Sequence, residues 1–127
     1  MKRKPLIMGQ ETIEQLQDPN FLEIGKLNIG PVIQVNLVSN TIVITKSNHS
    51  IYTTEGNFVF PAQLHTIVGG DDGDILILRK GTQNKVSCRD NTGNLRLDGH
   101  FTLDGDATLM LLKSGTVWLE ISRANNG

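Results

Sequence analysis

From Pro31 onward the chain is divided into short runs of alternating apolar and polar residues, and this pattern constrains the fold more than any other feature. The first run places Ile33, Val35 and Leu37 at every second position, which is the period of a strand with one buried face. Turn-forming Gly, Asn, Asp and Ser residues separate the runs at intervals of about 8 to 12 residues. Such spacing predicts an all-β protein, an antiparallel β-sandwich or barrel of about ten short strands.

Two other architectures fit the pattern less well. A parallel sheet of the βαβ type needs long crossover connections, usually helices, and the sequence has no long stretch of helical periodicity. The triplet Leu-Asp-Gly occurs at 97–99 and again at 103–105, which suggests a hexapeptide β-helix. That architecture needs many more copies of its repeat, so the antiparallel sandwich or barrel fits best.

The first 30 residues lack this pattern and predict an extended N-terminal arm (1–30) in front of one β-domain (31–127). Residues 12–17 have the spacing of one or two helical turns, and Pro19 ends them. An arm that orders only against a neighbouring protein would couple its folding to assembly. Its predicted partner-binding anchors are the apolar residues Ile7, Ile13, Leu16, Phe21, Leu22, Ile24 and Leu27.

Composition narrows the environment and the partners. The net charge of −1 gives no overall field that would favour nucleic acid, and the three basic residues at 2–4 would bind it only weakly. A single cysteine forms no disulfide within the chain. The sequence contains neither an apolar run of about 20 residues nor a secretory signal. These features predict synthesis and assembly in a cytoplasm, without a membrane partner.

An acidic turn is the strongest candidate for a cation site. Asp71, Asp72 and Asp74 lie in a glycine-rich stretch, and neighbouring carboxylates supply the oxygen ligands that calcium prefers. The spacing resembles a single nonapeptide calcium repeat, but such sites need stacked copies. A glycine-rich turn between strands is the simpler interpretation, and the question of a bound cation stays open at this point.

Histidine and cysteine give no catalytic pattern. His49, His65 and His100 are widely spaced and lack the pairing typical of a zinc site. Cys88 with a distant histidine and aspartate suggests a nucleophilic trio, but its place beside Val86 indicates a small buried apolar side chain. The sequence therefore predicts no catalytic residue, no cofactor and no metal, and a protein that is not an enzyme.

Four segments together resemble a module of phage tail-fibre, head-fibre and capsid-decoration proteins. They span residues 73–79, 90–97, 101–104 and 115–123, and the similarity extends over roughly residues 40 to 123. The most distinctive part is the closing pattern Gly-x-x-Trp-x-Glu-x-x-Arg, carried by Gly115, Trp118, Glu120 and Arg123. Proteins with this module are commonly trimeric, rich in β-structure and without catalytic activity.

The resemblance implies a virion protein, and the short chain with its arm suits a capsid decoration or cement protein. Such a homotrimer would bind the major capsid protein and stabilise the lattice at the capsid surface. The alternative is a tail-fibre or receptor-binding module that contacts a host glycan or protein. Trp118 and Arg123 are candidate subunit-interface residues, since both types are enriched in binding hot spots. Trp118 alternates with Val117, Leu119 and Ile121 and is predicted to cover either a second core layer or a subunit contact.

Overall fold

The computed structural model describes residues 25–57, 59–81 and 84–126, and within these ranges it contains strands and no helix. The all-β prediction is confirmed, with eleven short strands where about ten were expected. In chain order, β1 to β11 are Ile33–Asn36, Thr41–Val43, Asn48–Tyr52, Ala62–Leu64, Thr66–Val68, Ile75–Lys80, Val86–Cys88, Leu95–Arg96, Phe101–Leu103, Thr108–Ser114 and Val117–Ala124.

The strands form three sheets. The large sheet has six strands in the order β1-β3-β6-β10-β11-β8, the second sheet pairs β2 with β5, and the third has the order β4-β7-β9. No sheet closes into a barrel within the described ranges. All three sheets contribute side chains to one buried apolar cluster, so the body has a single core.

Strand direction differs in part from the antiparallel expectation. Five of the eight pairings are parallel, namely β1 with β3, β3 with β6, β2 with β5, β4 with β7, and β11 with β8. A parallel pair needs a crossover connection. Here the crossover from β3 to β6 contains β4 and β5, which belong to the other two sheets. The chain thus winds through the sheets and returns in its original direction without a helix.

Alternation within the strands explains which side chains form the core. In β6, Leu76 and Leu78 are fully buried, whereas Ile75, Ile77 and Arg79 lie on the outer side of the large sheet. The longest pairing is the antiparallel hairpin of β10 and β11, whose tight turn lies between Ser114 and Val117. Its register shifts between Met110 and Leu111, and this β-bulge leaves Ile121 opposite no partner.

Candidate partner-binding surfaces

Most of the predicted arm anchors cannot be placed. Ile7, Ile13, Leu16, Phe21, Leu22 and Ile24 lie outside the described residues. Leu27 is described, and its side chain is 82% exposed. Ile29 follows at the rim of a cavity of about 590 Å³, which is also lined by Ile44, Asp74 and Ile75. The N-terminal segment therefore joins the body at the end of the large sheet where β6 begins.

Trp118 lies in the core of its own chain, with no exposed surface. Its ring packs against Gly70, where even a methyl group would come within 2.8 Å of the indole, and the Lys113 ammonium lies 5.8 Å from the ring centroid. Of the two roles predicted for Trp118, the geometry fits the core layer, because a fully buried ring offers no surface for a subunit contact.

Arg123 connects the loop at residues 98–100 to the last strand, β11. Its guanidinium lies 4.6 Å from the Phe101 ring and donates two 2.8 Å hydrogen bonds to the Glu120 carboxylate. It also donates to three consecutive backbone carbonyls, those of Asp98, Gly99 and His100. The Glu-x-x-Arg part of the distinctive pattern is therefore explained by folding contacts within one chain. Whether Arg123 also contacts a second subunit stays a prediction.

The Glu120 carboxylate is held in its charged form by this arrangement. Its side chain is only 8% exposed, and it also accepts a 2.9 Å hydrogen bond from the Asp98 backbone N–H. The Arg123 hydrogen bonds are the main reason that the pKa of Glu120 lies below its ordinary value, against the opposing effect of burial.

The three aspartates brace turns. Asp72 accepts a 2.7 Å hydrogen bond from the Gly115 N–H and so ties the acidic turn to the β10–β11 hairpin. Asp74 accepts a 2.8 Å bond from the Asp71 N–H, and the Asp74 N–H donates back to the Asp71 carbonyl. Within the described ranges, no three His, Cys, Asp or Glu side chains group closely enough to hold a metal ion. The contacts thus fit the simpler interpretation, an inter-strand turn.

The histidines also make local contacts. Nε2 of His49, which is fully buried, accepts the backbone N–H groups of Thr45 and Lys46, at 3.2 and 3.0 Å. Because those groups only donate, Nδ1 must carry the proton, which it donates to the Ile33 carbonyl at 3.0 Å. His49 therefore links the β2–β3 turn to β1. His65 and His100 are bound to Gln63 and to the backbone of Asp90.

Cys88 is fully buried, and this burial raises the pKa of its thiol from an ordinary 9.0 to about 12. Arg123 lowers and Glu120 raises that pKa, both by less than burial does. The thiol therefore stays protonated at neutral pH and is a poor nucleophile in the folded state.

We expect Cys88 to resist a maleimide probe at pH 8 in the native protein and to react at once in denaturant. We also expect alkali to destabilise the fold. Above pH 9 the thiol of the unfolded chain loses its proton while the thiol of the folded protein keeps it. The free energy of unfolding should therefore fall by about 1.4 kcal/mol per pH unit up to about pH 12. Urea titrations from pH 8 to 11 would measure this slope, and Cys88→Ala should remove it. Rapid native labelling would contradict the prediction.

The exposed apolar side chains include two groups that the sequence analysis did not identify as binding surfaces. The first lies at residues 56–57 and 59–61, here called the knob, and carries Val59 and Phe60 with side chains 70% and 73% exposed. The Asn57 side-chain oxygen accepts both of their backbone N–H groups, at 2.9 and 2.8 Å. In the sequence, the apolar run at residues 58–60, which lies between Gly56 and Pro61, was the pattern that could have predicted this exposed feature.

The second feature is the outer side of β6, β10 and β11, here called the apolar face. Its residues line up in register: Ile75, Leu112 and Leu119 form one row, and Ile77 and Met110 lie in the next. Leu119 is 38% exposed and Ile121, at the bulge, is 48% exposed. In β11 the aliphatic side chains Leu119 and Ile121 are exposed, because Trp118 on the alternate side of the strand is buried in the core.

Comparison with protein-family models, curated proteins and solved structures found no match to this chain. The part of the chain that the structure describes also contains no helix with the length and apolar character needed to cross a lipid bilayer. The class defined by the structure alone is therefore an all-β protein of three sheets around one core.

Proposed function

We propose that the chain is a non-catalytic virion assembly protein that decorates a bacteriophage capsid and stabilises its lattice. The observation that carries the proposal is the knob, where two large apolar side chains project into solvent from a turn fixed by hydrogen bonds. Exposed apolar groups that are already ordered lose less conformational freedom on binding, and aromatic side chains frequently anchor protein interfaces.

Local contacts join the two ends of the knob. The Asn57 N–H donates to the Phe60 carbonyl at 2.9 Å, and Gly56 and Pro61 form an isolated β-bridge that closes the turn. Gly56 has φ of +77°, and a side chain there would come within 2.3 Å of the Ala62 backbone nitrogen. The backbone of the knob is thus closed by local contacts, and Phe60 projects from it into solvent, where a partner can reach it.

The position of the knob supports a bridging role. It follows β3, which runs parallel to β6, so it lies at the end of the large sheet where β6 ends. The N-terminal segment joins at the other end, beside the cavity at Ile29. Two binding elements at opposite ends of a rigid body suit a protein that connects neighbouring capsid subunits, and the resemblance to decoration proteins points to the same class.

Immunogold electron microscopy of phage particles from cells that carry the gene would test location and mechanism together. We expect label on the heads, and we expect Phe60→Ser to reduce the bound copies about tenfold, as loss of an interface anchor does. Val43→Ser is the matched control, because Val43 is 58% exposed on the two-stranded sheet, away from the knob.

Both variants should keep the thermal unfolding midpoint of the wild type, since both side chains are exposed. Label on the tails would support the receptor-binding alternative and overturn the capsid proposal. Head label that is equally dense for wild type and Phe60→Ser would remove the knob from the mechanism.

A further inference from the structure

We infer that His49 is an acid-sensitive tie, and that its protonation opens the end of the body where the N-terminal segment joins. The imidazole is bonded on one side to the turn between β2 and β3. On its other side it is bonded to the end of the segment at residues 25–33, here called the strap. The tie lies in a different part of the molecule from the knob, and its opening does not depend on capsid binding.

The strap and the β2–β3 turn both contribute to the walls of two cavities. Ile29 of the strap and Lys46 of the turn line the cavity of about 590 Å³ and also a second cavity of about 310 Å³. Gly30, Pro31 and Ile33 of the strap complete the wall of the second cavity. Separation of the strap from the turn would therefore open both cavities to solvent.

Two side chains of β3 hold the strap. Nδ2 of Asn48 donates to the Gly30 carbonyl at 2.9 Å, and Nδ1 of His49 donates to the Ile33 carbonyl at 3.0 Å. The strap side chains Leu27 and Val32 are 82% and 46% exposed, so they add little apolar burial to these bonds. A segment with few buried apolar contacts opens locally at a small cost in free energy.

The bonding of His49 in the closed form is compatible only with a neutral ring. Nε2 accepts the backbone N–H groups of Thr45 and Lys46, and Nδ1 carries the hydrogen that is donated to Ile33. A proton added to Nε2 would face two N–H groups in place of an acceptor. Because the ring has no exposed surface, water does not supply that acceptor either. Protonation therefore requires that the turn move away from the ring.

The charged side chains on the elements around His49 would also oppose a positive ring. All of them are cations, namely Lys46 in the turn, Arg79 and Lys80 on β6, and Lys26 in the strap, whereas β1 carries none. None of these elements offers a carboxylate that would stabilise an imidazolium, and like charges repel it. Opening of the tie brings the protonated ring into water and relieves both costs.

The expected size of the effect follows from proton linkage. Histidine in water is half protonated at about pH 6.5. Since only the open form binds the proton, the ratio of open to closed molecules should rise about tenfold between pH 7.5 and pH 5.5. This range lies above the pH at which the Glu120 carboxylate takes up a proton, because the pKa of that group is lowered from 4.5.

Amide hydrogen exchange of the full chain, measured by mass spectrometry at pH 7.5 and 5.5 and corrected for the intrinsic exchange rate, tests the inference. We expect peptides that cover residues 25–33 and 44–48 to lose about tenfold in protection at pH 5.5, while β10 keeps its protection. Equal protection of the strap and turn at the two pH values would overturn the inference. An equal loss in β10 would also overturn it, because the opening would then be global.

Variants assign the response to one of the three histidines of the chain. The double variant His65→Gln, His100→Gln keeps His49 alone and should retain the tenfold response, whereas loss of the response there would contradict the inference. His49→Gln should abolish it, and a response that persists would be equally contrary. The wild type and the double variant decide the question even if His49→Gln does not fold.

Trp118 provides a second readout, since it is the single tryptophan and lines the larger cavity. Acrylamide should quench its fluorescence more strongly at pH 5.5 than at pH 7.5 in the wild type and in the double variant. Unchanged quenching would show that the cavity stays closed and would overturn the inference.

Discussion

Replacing Arg123 with alanine is expected to lower the free energy of unfolding by about 1.5–3 kcal/mol, the range for losing hydrogen bonds between charged groups in a half-buried ion pair. The substitution removes the donor to three loop carbonyls at 98–100 and the cation over the Phe101 ring. It also leaves the Glu120 carboxylate, which is 8% exposed, without its cation. The loss of stability therefore has two causes: the Glu120 charge is left without its cation, and the loop at residues 98–100 loses its hydrogen bonds to Arg123.

Urea unfolding at pH 7 would measure this loss, with Arg96→Ala as the matched control. Arg96 is an exposed arginine whose hydrogen bonds go only to carbonyls close in sequence, so its loss should change stability by about 0.5 kcal/mol or less. Similar values for the two variants would show that the network around Arg123 contributes little.

The pH dependence provides a second measurement of the same contact. Because Arg123 lowers the pKa of Glu120, the stabilisation is complete above the ordinary value of 4.5 and is lost as pH falls through the lowered pKa. Wild-type stability should therefore decline on acidification below about pH 5. In Arg123→Ala this contribution should be largely absent.

The sequence identified this pattern as distinctive but could not assign its role. Glu120 and Arg123 are three positions apart, and their partners at 98–100 lie more than twenty positions earlier. Only the parallel pairing of β8 with β11 brings that loop beside Arg123. Local patterns predict which residues are important, whereas the contacts depend on which strands become neighbours.

Strand existence was predicted well, and strand direction was not. Alternation depends only on which side chains are buried, and it is the same in parallel and antiparallel pairs. Five pairs are parallel because segments between strands of the large sheet, such as β4 and β5, belong to the other two sheets. The chain therefore re-enters the large sheet in its original direction. No residue in those segments carries a signal for the sheet that it will join.

The last strand shows how side-chain size decides between two faces. Val117, Leu119 and Ile121 form a regular aliphatic series, but the alternate face contains Trp118. Burial of one indole removes roughly 200 Å² from water, and the cavity bordered by Gly70 fits its shape. The core therefore takes the tryptophan and leaves the aliphatic series on the apolar face. Leu37 and Cys88 are buried as expected, whereas Ile33, from the same alternating run as Leu37, is 39% exposed.

Replacing Gly93 with alanine is expected to lower the free energy of unfolding by about 3 kcal/mol or more, in the upper range for single substitutions. A Cβ at this position would lie 2.1 Å from the His65 carbonyl oxygen and 2.4 Å from the Thr66 hydroxyl. The first of these is backbone and cannot rotate away. The turn at residues 90–94 would have to move off β5 to relieve the clash.

That movement would also break hydrogen bonds of the next residue, Asn94, which links β5 to β11. Its side-chain amide makes two hydrogen bonds to the Ile67 backbone, at 2.9 and 2.8 Å. Its backbone carbonyl accepts the backbone N–H of Trp118 at 2.8 Å. Gly99→Ala is the control, since Gly99 also has positive φ, at +86°, but nothing lies within 4 Å of its added Cβ. We expect that variant to lose only about 1–2 kcal/mol, the cost of the backbone conformation. Chemical denaturation of both proteins separates the two causes: equal losses would mean that backbone conformation, and not close packing of the turn against β5, determines the requirement for glycine.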